Sequence, residues 1–183
     1  MKLTLRNIFK IYLILTFLIG CAATQKIKET DRAKLLSQGN SFFERRQYDQ
    51  SIAYFNKAID INPTDAEAYN NRGVAYDNQG QHDKAIADYD RAIKINPKYA
   101  TAYNNRGFAY YIKGEYDKAI ADCTKVIEIN PKYALAYKNR ATAYFYKREY
   151  EKAWDDVYRA QNLGYNVSPE FIKALRQASG KQE

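Results

Sequence analysis

The sequence is short of the residues that most often carry chemistry. It has one histidine, and its two cysteines, Cys21 and Cys123, lie far apart. They fit neither a metal-binding spacing nor a disulfide framework. Cys123 falls at a core position of a helical pattern and reads as a small buried apolar residue. No glycine-rich phosphate loop, zinc spacing or nucleophile elbow is present. Acidic residues are plentiful, but they recur with a fixed period instead of converging. His82 takes a place held elsewhere in that period by Tyr48, Tyr116 and Tyr150, so it reads as a helix-packing residue. Catalysis needs a nucleophile with its base, a carboxylate pair, a metal or a phosphate cradle. The sequence offers none of these, which points away from an enzyme and from any cofactor.

A concentrated basic patch is also missing. The net charge is +8, but Lys2, Arg6 and Lys10 supply three of those charges and leave +5 for the rest. Across the four repeats defined below the balance is +1, 0, +1 and +2. A nucleic-acid binder gathers its charge into a patch or stripe, so this mixed surface excludes that class.

No long apolar run exists either. Ile11–Ile19 is an unbroken stretch, apolar apart from Thr16 and the Tyr12 hydroxyl. As a helix it rises about 14 Å against a hydrocarbon core of about 30 Å, too short to span a bilayer. A basic start, a short apolar run and a small residue together predict a secretory signal peptide over residues 1–20. Leu18-Ile19-Gly20-Cys21 resembles the lipobox of bacterial lipoproteins at all four positions. The resemblance implies cleavage after Gly20 and acylation of Cys21, with the chain anchored to a membrane outside the cytoplasm. Two or more acyl chains anchor stably where one binds only marginally. Ala22 resembles the outer-membrane signal, which implies the periplasmic face of that membrane in a Gram-negative cell. Residues 21–31 then read as the lipidated cysteine and a polar tether.

What the sequence has in abundance is tyrosine, 18 residues, at regular spacing. Shifted by 34, the chain overlays itself. Tyr69-Asn70-Asn71-Arg72-Gly73 recurs as Tyr103-Asn104-Asn105-Arg106-Gly107 and again as Tyr137-Lys138-Asn139-Arg140-Ala141. Ile61-Asn62-Pro63, Ile95-Asn96-Pro97 and Ile129-Asn130-Pro131 close three units, placing repeats at 32–65, 66–99, 100–133 and 134–167. Each reads as two helices of about 13 residues. Gly80 and Gly114 fall at the turn between helices, where a left-handed residue ends the first. Gly39, Gly73, Gly107 and Ala141 stand where the paired helix approaches closely, and the prolines stop the second helix. A single hairpin cannot bury both faces, so neighbours must stack. Ser168 and Pro169 predict a C-terminal capping helix and tail over 168–183, covering the fourth repeat with Phe171, Ile172 and Leu175.

The order aromatic, small, aromatic, alanine, aromatic, proline is met in the second repeat by Tyr69, Gly73, Tyr76, Ala85, Tyr89 and Pro97. The third follows with Tyr103, Gly107, Tyr110, Ala119, Cys123 and Pro131. This resembles the tetratricopeptide repeat (TPR) family. The resemblance implies an all-α fold, a right-handed superhelical solenoid of four helix hairpins plus a C-terminal capping helix. It also implies a role in binding other proteins, through a groove lined by the first helix of each repeat.

Arg72, Arg106 and Arg140 occupy a position usually apolar in that family. Asp88, Asp122 and Asp156 stand sixteen residues later in the same repeats. In the first repeat both members vanish, replaced by Gln38 and Tyr54. A buried guanidinium needs a partner, so these six residues read as structural ion pairs.

The groove positions implied by the resemblance include Asn71, Asn105 and Asn139, whose amides offer a donor and an acceptor to a peptide backbone. They also include Val74, Asp77 and Asn78 of the second repeat. Farther along, Phe108, Tyr111, Ile112, Leu135, Phe145 and Tyr146 turn the groove apolar and aromatic. Such a patch marks an interaction site, unless the C-terminal helix folds back and fills it. The basic clamp that some members use for acidic peptide termini is not matched: Leu36, Thr101 and Leu135 stand where cations are required, and Lys138 alone does not make a clamp. The leading expectation is an envelope adaptor for a protein partner. The alternative is a self-associating structural subunit.

Overall fold

The structure is a computed structural model describing residues 29–180. The signal peptide, Cys21, the tether through Lys28 and the tail Lys181–Glu183 lie outside the described residues. Among the described residues there are nine α-helices and no strand. They fall into two compact units that meet at Pro63 and Thr64.

The first unit holds one hairpin, α1 (residues 29–44) and α2 (Tyr48–Ile61). The tether was expected to run to Asp31, but residues 29–31 are already helical. No glycine or proline separates Glu29 from the apolar pattern at Leu35 and Leu36, so nothing stops the helix there. Leu36, Ile52, Phe55, Ala58 and Ile59 are buried. Phe42 stacks on Tyr54, ring centroids 5.1 Å apart.

The second unit holds three further hairpins and a last helix. The hairpins are α3 (Ala66–Asn78) with α4 (His82–Ile95), α5 (Ala100–Ile112) with α6 (Tyr116–Ile129), and α7 (Ala134–Tyr146) with α8 (Tyr150–Asn162). Helix α9 spans Pro169–Ser179. Each hairpin packs its own two helices together, and α4 packs on α5 as α6 packs on α7.

Local chemistry sets the boundaries. Asp65 caps α3, its carboxylate accepting from the backbone N–H of Glu67 and Ala68 at 3.1 and 3.2 Å. After α4 and α6, Asn96 and Asn130 turn the chain by accepting from Lys98 N–H and Lys132 N–H, both at 3.1 Å. Within three hairpins whose turns align, Gly80 and Gly114 adopt φ of 73° and 75°, while Arg148 takes φ 63° at the same place. Arg46 does likewise in the first unit, at φ 59°. A left-handed non-glycine residue costs on the order of 1 kcal/mol, so the outer repeats carry a small strain that the inner ones avoid.

The close approach within each hairpin is fitted to one partner side chain. A Cβ on Gly73 would lie 2.7 Å from the Tyr89 ring, and one on Gly39 would lie 2.5 Å from the Phe55 ring. In the third repeat the partner is the smaller Cys123, and a Cβ on Gly107 would meet its Sγ at 3.5 Å. In the fourth the pair is Ala141 with Val157, both fully buried. The Cys123 thiol is itself buried, which pushes its pKa up to about 12.

Three arginines bridge the hairpins of this unit. Arg72 donates through Nε and Nη2 to Asp88 at 2.7 and 2.6 Å. Arg106 donates in the same fork to Asp122 at 2.8 and 2.6 Å, and Arg140 to Asp156 at 2.7 and 2.8 Å. The remaining amine reaches the preceding hairpin: Arg106 Nη1 bonds Asp90 at 2.5 Å, and Arg140 Nη1 bonds Thr124 at 2.9 Å. Burial pushes Asp88, Asp122 and Asp156 above the ordinary carboxylate range, and the guanidinium pulls each part of the way back. That balance is expected of buried pairs, whose desolvation offsets much of their attraction.

Helix α9 closes the stack. Ser168 Oγ accepts from Phe171 N–H at 3.1 Å, with Pro169 in the first turn. Trp154 Nε1 donates to Ser179 Oγ at 3.1 Å. Leu175 is fully buried among Trp154, Val157, Ala160 and Val167. It stands one period after Ala141. A large side chain thus fills the place that inner repeats keep small.

Candidate functional site

Helices α3, α5 and α7 lie in sequence along one face of the second unit and line a groove of about 350 Å³. Its walls include Val74, Asp77, His82, Asn105, Phe108, Leu135, Lys138 and Asn139. The asparagines are tied to one another across repeats. Asn105 Nδ2 donates to Asn70 Oδ1, and Asn139 Nδ2 donates to Asn104 Oδ1, both at 3.0 Å. Asn70 in turn donates to Asn71 Oδ1 at 3.1 Å. Asn70 and Asn104 are buried, and a buried amide must find partners. The ladder therefore fixes the register of neighbouring repeats. It also modifies the expected use of Asn105 and Asn139, each of which has committed one donor and keeps an oxygen and a second N–H. Asn71 has its Oδ1 committed to the bond from Asn70.

Beyond the ladder the groove becomes aromatic. Phe108 lies 6.1 Å from Tyr111, which lies 5.4 Å from Tyr146. Tyr146 stacks on Tyr116 at 5.4 Å. Burial and a hydrogen bond with Tyr146 raise the Tyr111 phenol above its usual pKa. Phe108, Ile112 and Tyr146 remain 46, 47 and 51% exposed. Phe145, expected in the groove, is instead half-buried against Tyr150 and Phe171, with ring centroids 6.0 and 5.6 Å away. Phe171 belongs to α9, so the last helix covers Phe145 and leaves the rest of the patch open.

At the second-repeat end, sequence reasoning missed a polar cluster. His82 Nδ1 lies 2.9 Å from Asp77 Oδ1, and the Tyr89 hydroxyl donates to Asp77 Oδ2 at 2.9 Å. Burial raises the Asp77 pKa above the usual carboxylate value, and the bonds from His82 and Tyr89 work against that rise. The available signal was the simultaneous loss of two aromatics in one repeat. Among the described residues no three His, Cys, Asp or Glu side chains gather to hold a metal, and no helix is long and apolar enough to cross a membrane.

The pattern described as tetratricopeptide repeat matches residues 66–99 and 100–133, and a second, described as TPR repeat, matches 39–80. The TPR domain of Sgt2 from Aspergillus fumigatus is 31% identical, covering 67% of this chain and 80% of that one, with a TM-score of 0.61. The chain is a tetratricopeptide repeat protein. This TPR chain is also similar to MamA, at 28% identity over 90% of this chain and 96% of that one, with a TM-score of 0.69. A third similar structure is the first TPR of Spaghetti (RPAP3), solved bound to the HSP90 peptide SRMEEVD. It is 26% identical, covers 62% of this chain and 90% of that one, and has a TM-score of 0.61. No curated protein matches. The TPR groove of this chain thus runs from Asp77 and His82, past the asparagine amides, to the exposed rings of Phe108 and Tyr146.

Proposed function

We propose that the chain is a membrane-anchored interaction adaptor of a bacterial cell envelope, holding a peptide or helix of a partner protein in the groove of its second to fourth repeats. The observation that carries this reading is the exposed patch of Phe108, Ile112 and Tyr146, continuous with the unused amide groups of Asn105 and Asn139. Covering those half-exposed side chains contributes roughly 1 kcal/mol each, and the amides fix the direction of a bound backbone. The Spaghetti neighbour, solved with a peptide, supports a peptide-sized occupant. Its acidic SRMEEVD ligand does not suit this groove, where Leu135 and Thr101 replace the cations of a clamp. The lipobox at Leu18–Cys21 supports anchoring through Cys21, with the periplasmic face of the outer membrane as the location in a Gram-negative cell. A self-associating envelope subunit is the second reading, favoured by Tyr158 and Leu163, exposed at the fourth repeat outside the groove.

Two substitutions separate the parts of the proposal. Cys21→Ala is expected to move the chain from the membrane fraction to the soluble fraction without changing its helicity. Tyr146→Glu is expected to leave it in the membrane and folded, yet abolish co-purification of its partner. Retention of the partner by Tyr146→Glu would remove the groove from the account, and membrane retention of Cys21→Ala would remove the anchor.

A further inference from the structure

Three of the four repeats place two aromatic rings against each other across the hairpin turn. The pairs are Phe43 with Tyr48, Tyr111 with Tyr116, and Phe145 with Tyr150, at 5.5, 6.1 and 6.0 Å. The second repeat puts Asp77 and His82 in those two places, bonded at 2.9 Å. A third position changes with them. The Tyr89 hydroxyl reaches Asp77 Oδ2 at 2.9 Å, whereas Phe55, Cys123 and Val157 have no hydroxyl there. An apolar contact has been exchanged for a carboxylate held by two donors, facing the groove.

The proton count shows what this arrangement offers a ligand. A carboxylate and an imidazole nitrogen both accept, so a 2.9 Å bond places the shared proton on Nδ1. In the neutral form of the ring Nε2 is then left as an acceptor. Each Asp77 oxygen keeps a further lone pair beyond the bond it already accepts. This end of the groove is therefore rich in acceptors, the Asp77 carboxylate foremost. None of the groups lining the groove from α3, α4 or α5 is a lysine or arginine. The one lysine of the wall, Lys138, belongs to α7 in the fourth repeat. Burial that raises the Asp77 pKa means that its charge is under-compensated where it stands.

We propose that Asp77 and His82 form a subsite that selects a basic side chain, arginine above all, in the peptide held by the groove. The inference rests on the groove being the partner-binding surface. Arginine suits it because the planar guanidinium can donate a parallel pair of bonds to a carboxylate and has further N–H groups for an imidazole nitrogen. The neighbouring apolar wall of Val74, Phe108 and Leu135 takes a large apolar residue beside it. The partner segment therefore carries a basic residue adjacent to an aliphatic or aromatic one.

The test uses the full chain in detergent on an array of immobilised extended peptides, random at flanking positions. One position is fixed to Arg, to its uncharged isostere citrulline, to Gln or to Glu. Arginine peptides are expected to bind about 10–100-fold more tightly than citrulline peptides, the range for a charge-assisted bond in a partly buried site. Asp77→Asn is expected to bring that ratio close to one. The triple variant Asp77→Tyr, His82→Tyr, Tyr89→Cys rebuilds the three positions as the third repeat has them in Tyr111, Tyr116 and Cys123, so it should fold. It is expected to bind apolar peptides without the arginine preference. Peptide binding with no arginine preference in the native chain, or a preference that survives Asp77→Asn, would overturn the subsite and leave the groove standing. Failure of every peptide to bind would overturn the groove and the subsite together.

Discussion

Arg106→Leu is expected to lower the stability of the helical stack by about 3–5 kcal/mol, the usual consequence of removing one partner of a buried ion pair. Arg106 forks onto Asp122, whose side chain is only 7% exposed, and its third amine bonds Asp90 in the preceding repeat. Leucine would leave Asp122 buried with a charge and no counter-ion. The loss should not measure what the pair itself contributes, because burial of the carboxylate already opposes its ionisation. Replacing both members should restore most of the stability. The first repeat supplies a natural choice, Gln38 and Tyr54, with Tyr54 stacked on Phe42. Arg106→Gln with Asp122→Tyr should therefore recover most of what Arg106→Leu loses. Urea unfolding followed by circular dichroism would check this. A loss below about 1 kcal/mol in the single variant would mean that water reaches Asp122 in solution.

Alanine at two equivalent glycines should give opposite results. Gly73→Ala drives a Cβ to 2.7 Å from Cε1 of the Tyr89 ring, which is 1% exposed and tied through its hydroxyl to Asp77. The ring cannot swing aside, and overpacking of this kind costs about 1–3 kcal/mol. That outweighs the gain of about 1 kcal/mol that alanine brings to a helix. Gly107→Ala meets its nearest neighbours at 3.2 to 3.5 Å, one of them the Cys123 sulfur. There the helix gain should balance or exceed the crowding, as Ala141 opposite Val157 suggests. Thermal midpoints of the two variants test the contrast. Equal midpoints would show that the partner side chain does not set the size limit.

Much of this architecture can be read from the chain because each repeat comments on the others. The Arg–Asp pairs are legible since both members disappear together in the first repeat, and the structure sets each pair within hydrogen-bonding distance. The glycine positions are legible for the same reason, although the matching of each to Phe55, Tyr89, Cys123 or Val157 needs three dimensions. The asparagine ladder is not legible. Asn105 meets Asn70 and Asn139 meets Asn104 thirty-five residues away, one more than the period, and that offset comes from how helices stack. Period alone does not orient a terminal helix, so the cover that α9 lays over Phe145 through Phe171 is not legible either. In the sequence Asp77 stands as a groove position and His82 as a packing position, with nothing to join them. Their meaning lies in the pair, which only adjacency across the turn reveals.

The central claim is that the groove of the second to fourth repeats receives a partner protein. The most direct measurement is photocrosslinking in the native membrane, with the crosslinker at Tyr111 in one version and at Lys125, exposed on α6, in another. One prominent adduct to another protein at Tyr111, absent at Lys125, is the predicted result. Crosslinks confined to the chain itself or to further copies of it would contradict the claim.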